Sequence, residues 1–216
     1  MHQTRVLSGT LTAFLTACAS EALLLNSERI EQRFGNYGIE ILESDDGLRR
    51  SNLYSRDGNL ATCRTYALVE FTEQLDQRYA DTHATVLAGG SIGATARERG
   101  WEVRKHTAHI GQLRLPERTT QVSGLMRLRG GEFLAVHVYR LTLAQADEAL
   151  PYATIIEIHH PDYLDLEGLR ALYADNDAGT LPAAEVERIG DLLCLSLIHI
   201  SEPTRLVHSS RMPSSA

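Results

Sequence analysis

The string Gly89-Gly90-Ser91-Ile92-Gly93 has the G-x-S-x-G spacing that, in a serine hydrolase, lifts the hydroxyl clear of a sharp strand-to-helix turn. Nucleophilic attack from Ser91 needs a histidine base and an acid behind it, in the chain order serine, acid, histidine. Asp147 followed by His159 or His160 supplies that order. The same stretch has a second reading. Tyr79, His83, Val86 or Leu87, Gly90 and Ala94 recur at steps of three and four, which describes one face of a single long helix over residues 78–99. In that helix Gly90 allows close approach to a sheet, and Gly100 ends it as a C′ glycine. The helical reading is preferred, because residues 36–71 read as antiparallel hairpins and the hydrolase turn needs parallel βα units. No catalytic residue is then assigned, and the Ser91, Asp147, His159 hydrolase stands as the alternative.

The histidines raise a different chemistry. His106 and His109 are three apart on an extended run, so they are expected on opposite faces, and adjacent His159 and His160 likewise. Neither pair has the loop or helix spacing of a zinc site. No metal and no cofactor is therefore expected, and a metal-binding module of strand histidines is kept as a second alternative. His137 and Tyr139 share a face of one strand, as Glu157 and His159 do of another. If those strands pair, the four side chains line one polar cleft, the candidate ligand-binding site.

Elements to carry these residues can be read in order. A short helix opens with Asn26 or Ser27 as its cap and closes at Gly35. Strands follow at 37–43, 50–55 and 60–71, joined by the turn strings Ser44-Asp45-Asp46-Gly47 and Arg56-Asp57-Gly58-Asn59. After the central helix a fourth strand starts at Trp101, which is expected in the core. Residues 121–128 form a short helix or loop, and strands return at 133–143 and 152–160. Helices at 164–173 and 182–193 close the domain, and no repeat of fixed period is visible. Strands and helices in runs rather than strict alternation predict an α+β fold. The expectation is an antiparallel sheet of about six strands packed against a long central helix, with short flanking helices.

Both ends carry resemblances. Leu15-Thr16-Ala17-Cys18, after Arg5 and a short apolar run, resembles the lipobox of bacterial lipoprotein precursors. That resemblance implies a signal peptide over 1–17, lipid attachment at Cys18, a short tether over 18–25 and a place at the cell envelope facing the periplasm. Ala19 after the cysteine implies the outer membrane. A soluble secreted or periplasmic protein is the alternative. The segments G-G-S-I-G-A-T and G-W-E-V-R-K resemble a bacterial envelope family to which no activity attaches. Residues 195–205, L-S-L-I-H-I-S-E-P-T-R, and 211–216, R-M-P-S-S-A, resemble the translation of a sequencing-library adapter. They imply that 195–216 is an unstructured artefactual tail and that the single domain is 26–194, its native C-terminus replaced.

Charge and cysteine content narrow the partners. The chain carries a net charge of −7, and leaving out the two ends makes the remainder more acidic still. That argues against nucleic acid and against electrostatic docking on anionic lipid. Membrane contact is expected through the N-terminal lipid only, with an envelope protein or a small ligand as partner. The cysteines are Cys18, Cys63 and Cys194, which make no disulfide framework. Residue Lys105 is the sole lysine. The sequence thus predicts a lipid-anchored envelope domain that acts as a non-catalytic binding or assembly module.

Overall fold

The structure, a computed structural model, describes residues 24–174 except 45, 46 and 147, together with Arg188. Cys18, Asp147, the expected helix at 182–193 (Arg188 apart) and the C-terminal tail lie outside the described residues. The elements are α1 (Asn26–Phe34), β1 (Gly38–Ser44), β2 (Leu48–Asp57), β3 (Leu60–Phe71), a 3₁₀ turn (Gln77–Tyr79), α2 (Ala80–Leu87), α3 (Ile92–Glu98), β4 (Glu102–Arg114), α4 (Gln121–Met126), β5 (Phe133–Gln145), β6 (Glu148–His159) and α5 (Leu166–Leu172).

The fold is α+β, built on one antiparallel sheet with the strand order β1-β2-β3-β6-β5-β4. This order is two three-stranded meanders, β1–β3 and β4–β6, laid edge to edge at the β3–β6 pair. A helix precedes each meander, α1 the first and α3 the second. The central strands are buried on both faces, so in β5 every residue of Leu134–Val138 is buried, His137 included. On one face, Tyr66, Leu68, Val136, Val138, Ile156 and Ile158 pack with Val122 and Met126 of α4. On the other, Val69, Tyr139, Leu141 and Ile155 pack under Tyr79, Val86 of α2, Ala96 of α3 and Trp101. Trp101 is buried, its ring edge-on to Tyr79 at 4.8 Å. No helix among the described residues is long and apolar enough to cross a membrane.

The long central helix is the expectation that fails. Residues 78–99 form a 3₁₀ turn and two short helices, parted at residues 88–91. Gly89 adopts φ +110. Its N–H donates to the Val86 carbonyl, and the Gly90 N–H donates back to the Thr85 carbonyl at 3.1 Å. That pairing satisfies the last carbonyls of α2 and is the Schellman stop. Gly100, φ +78, repeats it for α3, with Trp101 N–H donating to Ala96. Gly90, expected to pack inside one helix, is therefore part of a helix terminator, while Gly100 ends α3 as the expected C′ glycine. The start of α1 also differs from expectation. Leu25 is the N-cap residue, its N–H donating to the Glu28 carboxylate at 2.5 Å, while the Asn26 side chain turns into the protein interior.

Candidate functional site

Strand pairing brings the four polar residues of the expected cleft together. His137 of β5 lies directly across from Glu157 of β6, and β3 presents Thr65 to His159. The Tyr139 hydroxyl donates to Glu157 Oε1 at 3.1 Å. His159 Nδ1 meets Thr65 Oγ1 at 3.0 Å, and His137 Nε2 meets Thr107 Oγ1 of β4 at 3.0 Å. Asn26, carried over this face by the first turn of α1, donates from Nδ2 to Thr65 Oγ1 at 3.1 Å and to Glu157 Oε1 at 3.3 Å. Its carbonyl oxygen accepts from the Tyr163 hydroxyl at 2.5 Å. Behind them Arg29 donates to the Tyr173 hydroxyl at 3.2 Å, and the Tyr173 ring stacks at 4.2 Å on His137.

The cluster is buried and short of protein partners. His137, His159 and Glu157 are all buried, yet Glu157 Oε2, His159 Nε2 and His137 Nδ1 have no hydrogen-bond partner among the described residues. His159 Nε2 stands 3.8 Å from Glu157 Oε2, too long for a direct bond. Buried polar atoms left this way call for a specific explanation. Burial pushes the His159 imidazole down to about 4, with the Glu157 charge opposing the shift, and drives His137 well below the ordinary histidine range. Burial also pushes the Glu157 carboxyl up, but the Lys105 ammonium, the two imidazoles when acid protonates them, and the Arg29 guanidinium outweigh it and hold the group at about 2. At neutral pH the site therefore contains an ionised carboxylate flanked by neutral imidazoles.

Next to the cluster the sheet and the helix starts leave a cavity of about 80 Å³. About 10–15 Å³ by this measure holds one water, so the space fits a compact organic molecule. Glu157 and Tyr139 form part of its wall; Asn26, Ser91, Arg49 and Lys105 form more of it. The Lys105 ammonium sits 4.5 Å from the centroid of the Tyr139 ring. Arg49 is only 1 % exposed. Its Nε donates to Ser51 Oγ at 3.1 Å, and its Nη1 donates to the carbonyls of Val86 at 2.8 Å and Gly90 at 2.9 Å. These partners are all neutral. Among the described residues no carboxylate comes within ion-pair distance of Arg49 or of Lys105.

The remaining candidates fall elsewhere. Ser91 is the N-cap residue of α3 and follows a helix and a glycine turn rather than a strand. His160, on the opposite sheet face, uses both ring nitrogens: Nε2 on the Met126 carbonyl and Nδ1 as acceptor for the Asp162 N–H. His159 spends Nδ1 on Thr65, so neither histidine is hydrogen-bonded to Ser91. His106 and His109 were expected on opposite faces. A β-bulge at Ala108 places them opposite Arg140 and Val138, and so on the same face. Among the described residues no group of three or more His, Cys, Asp or Glu side chains could hold a metal ion.

Sequence reasoning missed Arg49, Asn26, Thr65 and Thr107. Arg49 follows a turn at the start of β2 and reads as a solvated arginine, since nothing local reports that carbonyls about 40 residues onward will meet it. Lys105 carried one signal, its singularity.

No protein-family model matches the chain. No curated protein matches it either. Among solved structures it is similar to a GntR-family transcriptional regulator from Enterococcus faecalis V583, at 9 % identity and a TM-score of 0.35, over 60 % of this chain and 93 % of that one. It is also similar to the C-terminal domain of PhnF, at 15 % identity and a TM-score of 0.37, over 64 % of this chain and 77 % of that one. At these values neither likeness supports an inference about the activity of this chain.

Proposed function

We propose that this domain binds a small organic acid, without transforming it, in the cavity between the sheet and the starts of α1 and α3. The observation that carries this reading is Arg49. A guanidinium buried to 1 % exposure, with only neutral partners among the described residues, is a poorly compensated interior charge. A ligand carboxylate or phosphate beside it supplies the missing countercharge, and Lys105 on the same wall adds a second attraction. Glu157, ionised and with Oε2 unpartnered, asks for a donor such as a hydroxyl or amine on the same ligand. The location follows from the lipobox-like N-terminus: the domain works at the cell envelope, held there by a lipid on Cys18.

The test is thermal unfolding against a panel of small carboxylates and phosphomonoesters, each paired with its neutral amide or alcohol. An acid present at about 100 times its Kd adds roughly 2.7 kcal/mol of stability, a readily measured rise in Tm. Hydroxylated or amino acids should rank first. Lys105→Gln should weaken acid binding; because Lys105 also offsets the buried Glu157 charge, the ligand-induced shift is read against the variant's own unliganded Tm. Equal shifts from acids and their neutral partners, or none from any acid, would remove the reading.

A further inference from the structure

We propose that α3 is a lid over the cavity, hinged at Gly89-Gly90 and clasped shut by Arg49. The lid covers the cavity identified above and so rests on that reading for its purpose, though not for its motion. Ser91, Ile92 and Gly93, the cap and first turn of α3, form part of the cavity wall, facing Glu157 and Lys105 on the sheet side. A seven-residue helix has no independent stability. It is bounded at each end by a glycine in a left-handed conformation, Gly89 before it and Gly100 after it, so both attachments can absorb a change of backbone angle.

What holds the lid down is a small set of contacts. Ala96 is its fully buried anchor, and Ile92 packs beside it. At the rim, Gly93 lies so close to Leu25 that a Cβ there would fall 2.5 Å from Leu25 Cδ2. Arg97 reaches both carboxylate oxygens of Glu28 on α1 at 2.9 and 3.0 Å. That ion pair is solvent-exposed and contributes little by itself. The stronger contact is Arg49. From β2 its single Nη1 group bonds the Val86 and Gly90 carbonyls, one on each side of Gly89. The clasp therefore spans Gly89 and ends on Gly90, the residue before the cap of α3. Because the same guanidinium borders the cavity, an anion paired with it fixes the clasp and holds the lid closed over the ligand. Hinged closure around a ligand is a recurrent device, and it draws on regions of low local stability.

Hydrogen–deuterium exchange on the ligand-free protein tests the hinge. Amides of residues 91–100 should exchange as one group, faster than those of β3 and β6. Arg49→Gln should speed that group roughly tenfold or more, the effect of losing hydrogen bonds from a charged donor, while β5 and β6 keep their parent rates. Arg97→Ala, on the surface, should speed the same group by less. Protection of 91–100 equal to that of β6 in the parent would overturn the lid. So would a uniform acceleration across all peptides in both variants. If Arg49→Gln does not fold, the parent protein decides: exchange of 91–100 as one group faster than β6 supports the lid, and protection there equal to that of β6 refutes it. Acids that bind a rigid α3 would refute the lid and leave the binding reading intact. A mobile α3 with no acid bound would do the reverse.

Discussion

Adding one methyl group at Gly90 separates the two-helix arrangement from a continuous helix. A Cβ built there lies 2.7 Å from Thr95 Oγ1 and 2.9 Å from the Thr85 carbonyl oxygen. The threonine hydroxyl can rotate away, but the carbonyl belongs to the last turn of α2 and accepts the Gly90 N–H itself. Relief therefore requires the α2–α3 junction to open, which also disturbs the Gly90 carbonyl that Arg49 bonds. Overpacking of this kind costs about 1–3 kcal/mol. The stiffening of the unfolded chain by alanine returns about 0.4–1 kcal/mol, so Gly90→Ala should be destabilising by roughly 1–2 kcal/mol net. Gly124 is the control: it sits inside α4 with open space where its Cβ would go. Gly124→Ala should stabilise by about 0.4–1 kcal/mol. Urea unfolding of the parent and both variants measures the difference, and thermal midpoints should move by about 2–4 °C per kcal/mol. A Gly90→Ala variant as stable as the parent, beside a Gly124→Ala variant that behaves as expected, would show that the junction is not held by the Thr85 contact.

Two further outcomes follow from the cluster and from the N-terminus. His159 falls from an ordinary 6.5 to about 4 on folding, so between those values the unfolded chain binds the extra proton. Stability should then drop as pH falls from about 6.5 towards 4, by on the order of 1–3 kcal/mol, and Glu157, held at about 2, takes its own contribution away only in stronger acid. His159→Gln should reduce that slope in urea titrations at pH 7, 5.5 and 4.5, leaving the part that buried His137 contributes, and parallel slopes would contradict the assignment. At Cys18 the lipobox resemblance predicts incorporation of labelled fatty acid that Cys18→Ser abolishes; equal labelling of both forms, or of neither, discards the envelope anchor.

Much of the sheet is legible from residue order alone. Alternating side chains and turn strings such as Arg56-Asp57-Gly58-Asn59 place β2 and β3, and Leu60–Phe71 is found at its expected bounds. The same two-residue period puts His137 with Tyr139 and Glu157 with His159, so pairing of β5 with β6 is enough to assemble half of the site. The period fails where one residue is added. The Ala108 bulge leaves no mark in the sequence, and it moves His109 to the face of His106.

The central helix shows the limit from the other side. Gly89 and Gly90 are compatible with a close-packed helix and with a helix stop, and local spacing cannot choose between them. The choice is made by Arg49, which reaches from a different strand to bond the Val86 and Gly90 carbonyls, giving the stop a buried partner that a continuous helix would not offer. The same holds for Asn26, drawn from its expected capping role because Thr65, Glu157 and Tyr163 meet it in the interior. Residue periodicity determined which side chains share a face, because that depends only on the backbone repeat. Which polar groups are left unpaired around the cavity depends on contacts between residues about 40 to 130 positions apart, and only the tertiary structure brings those together.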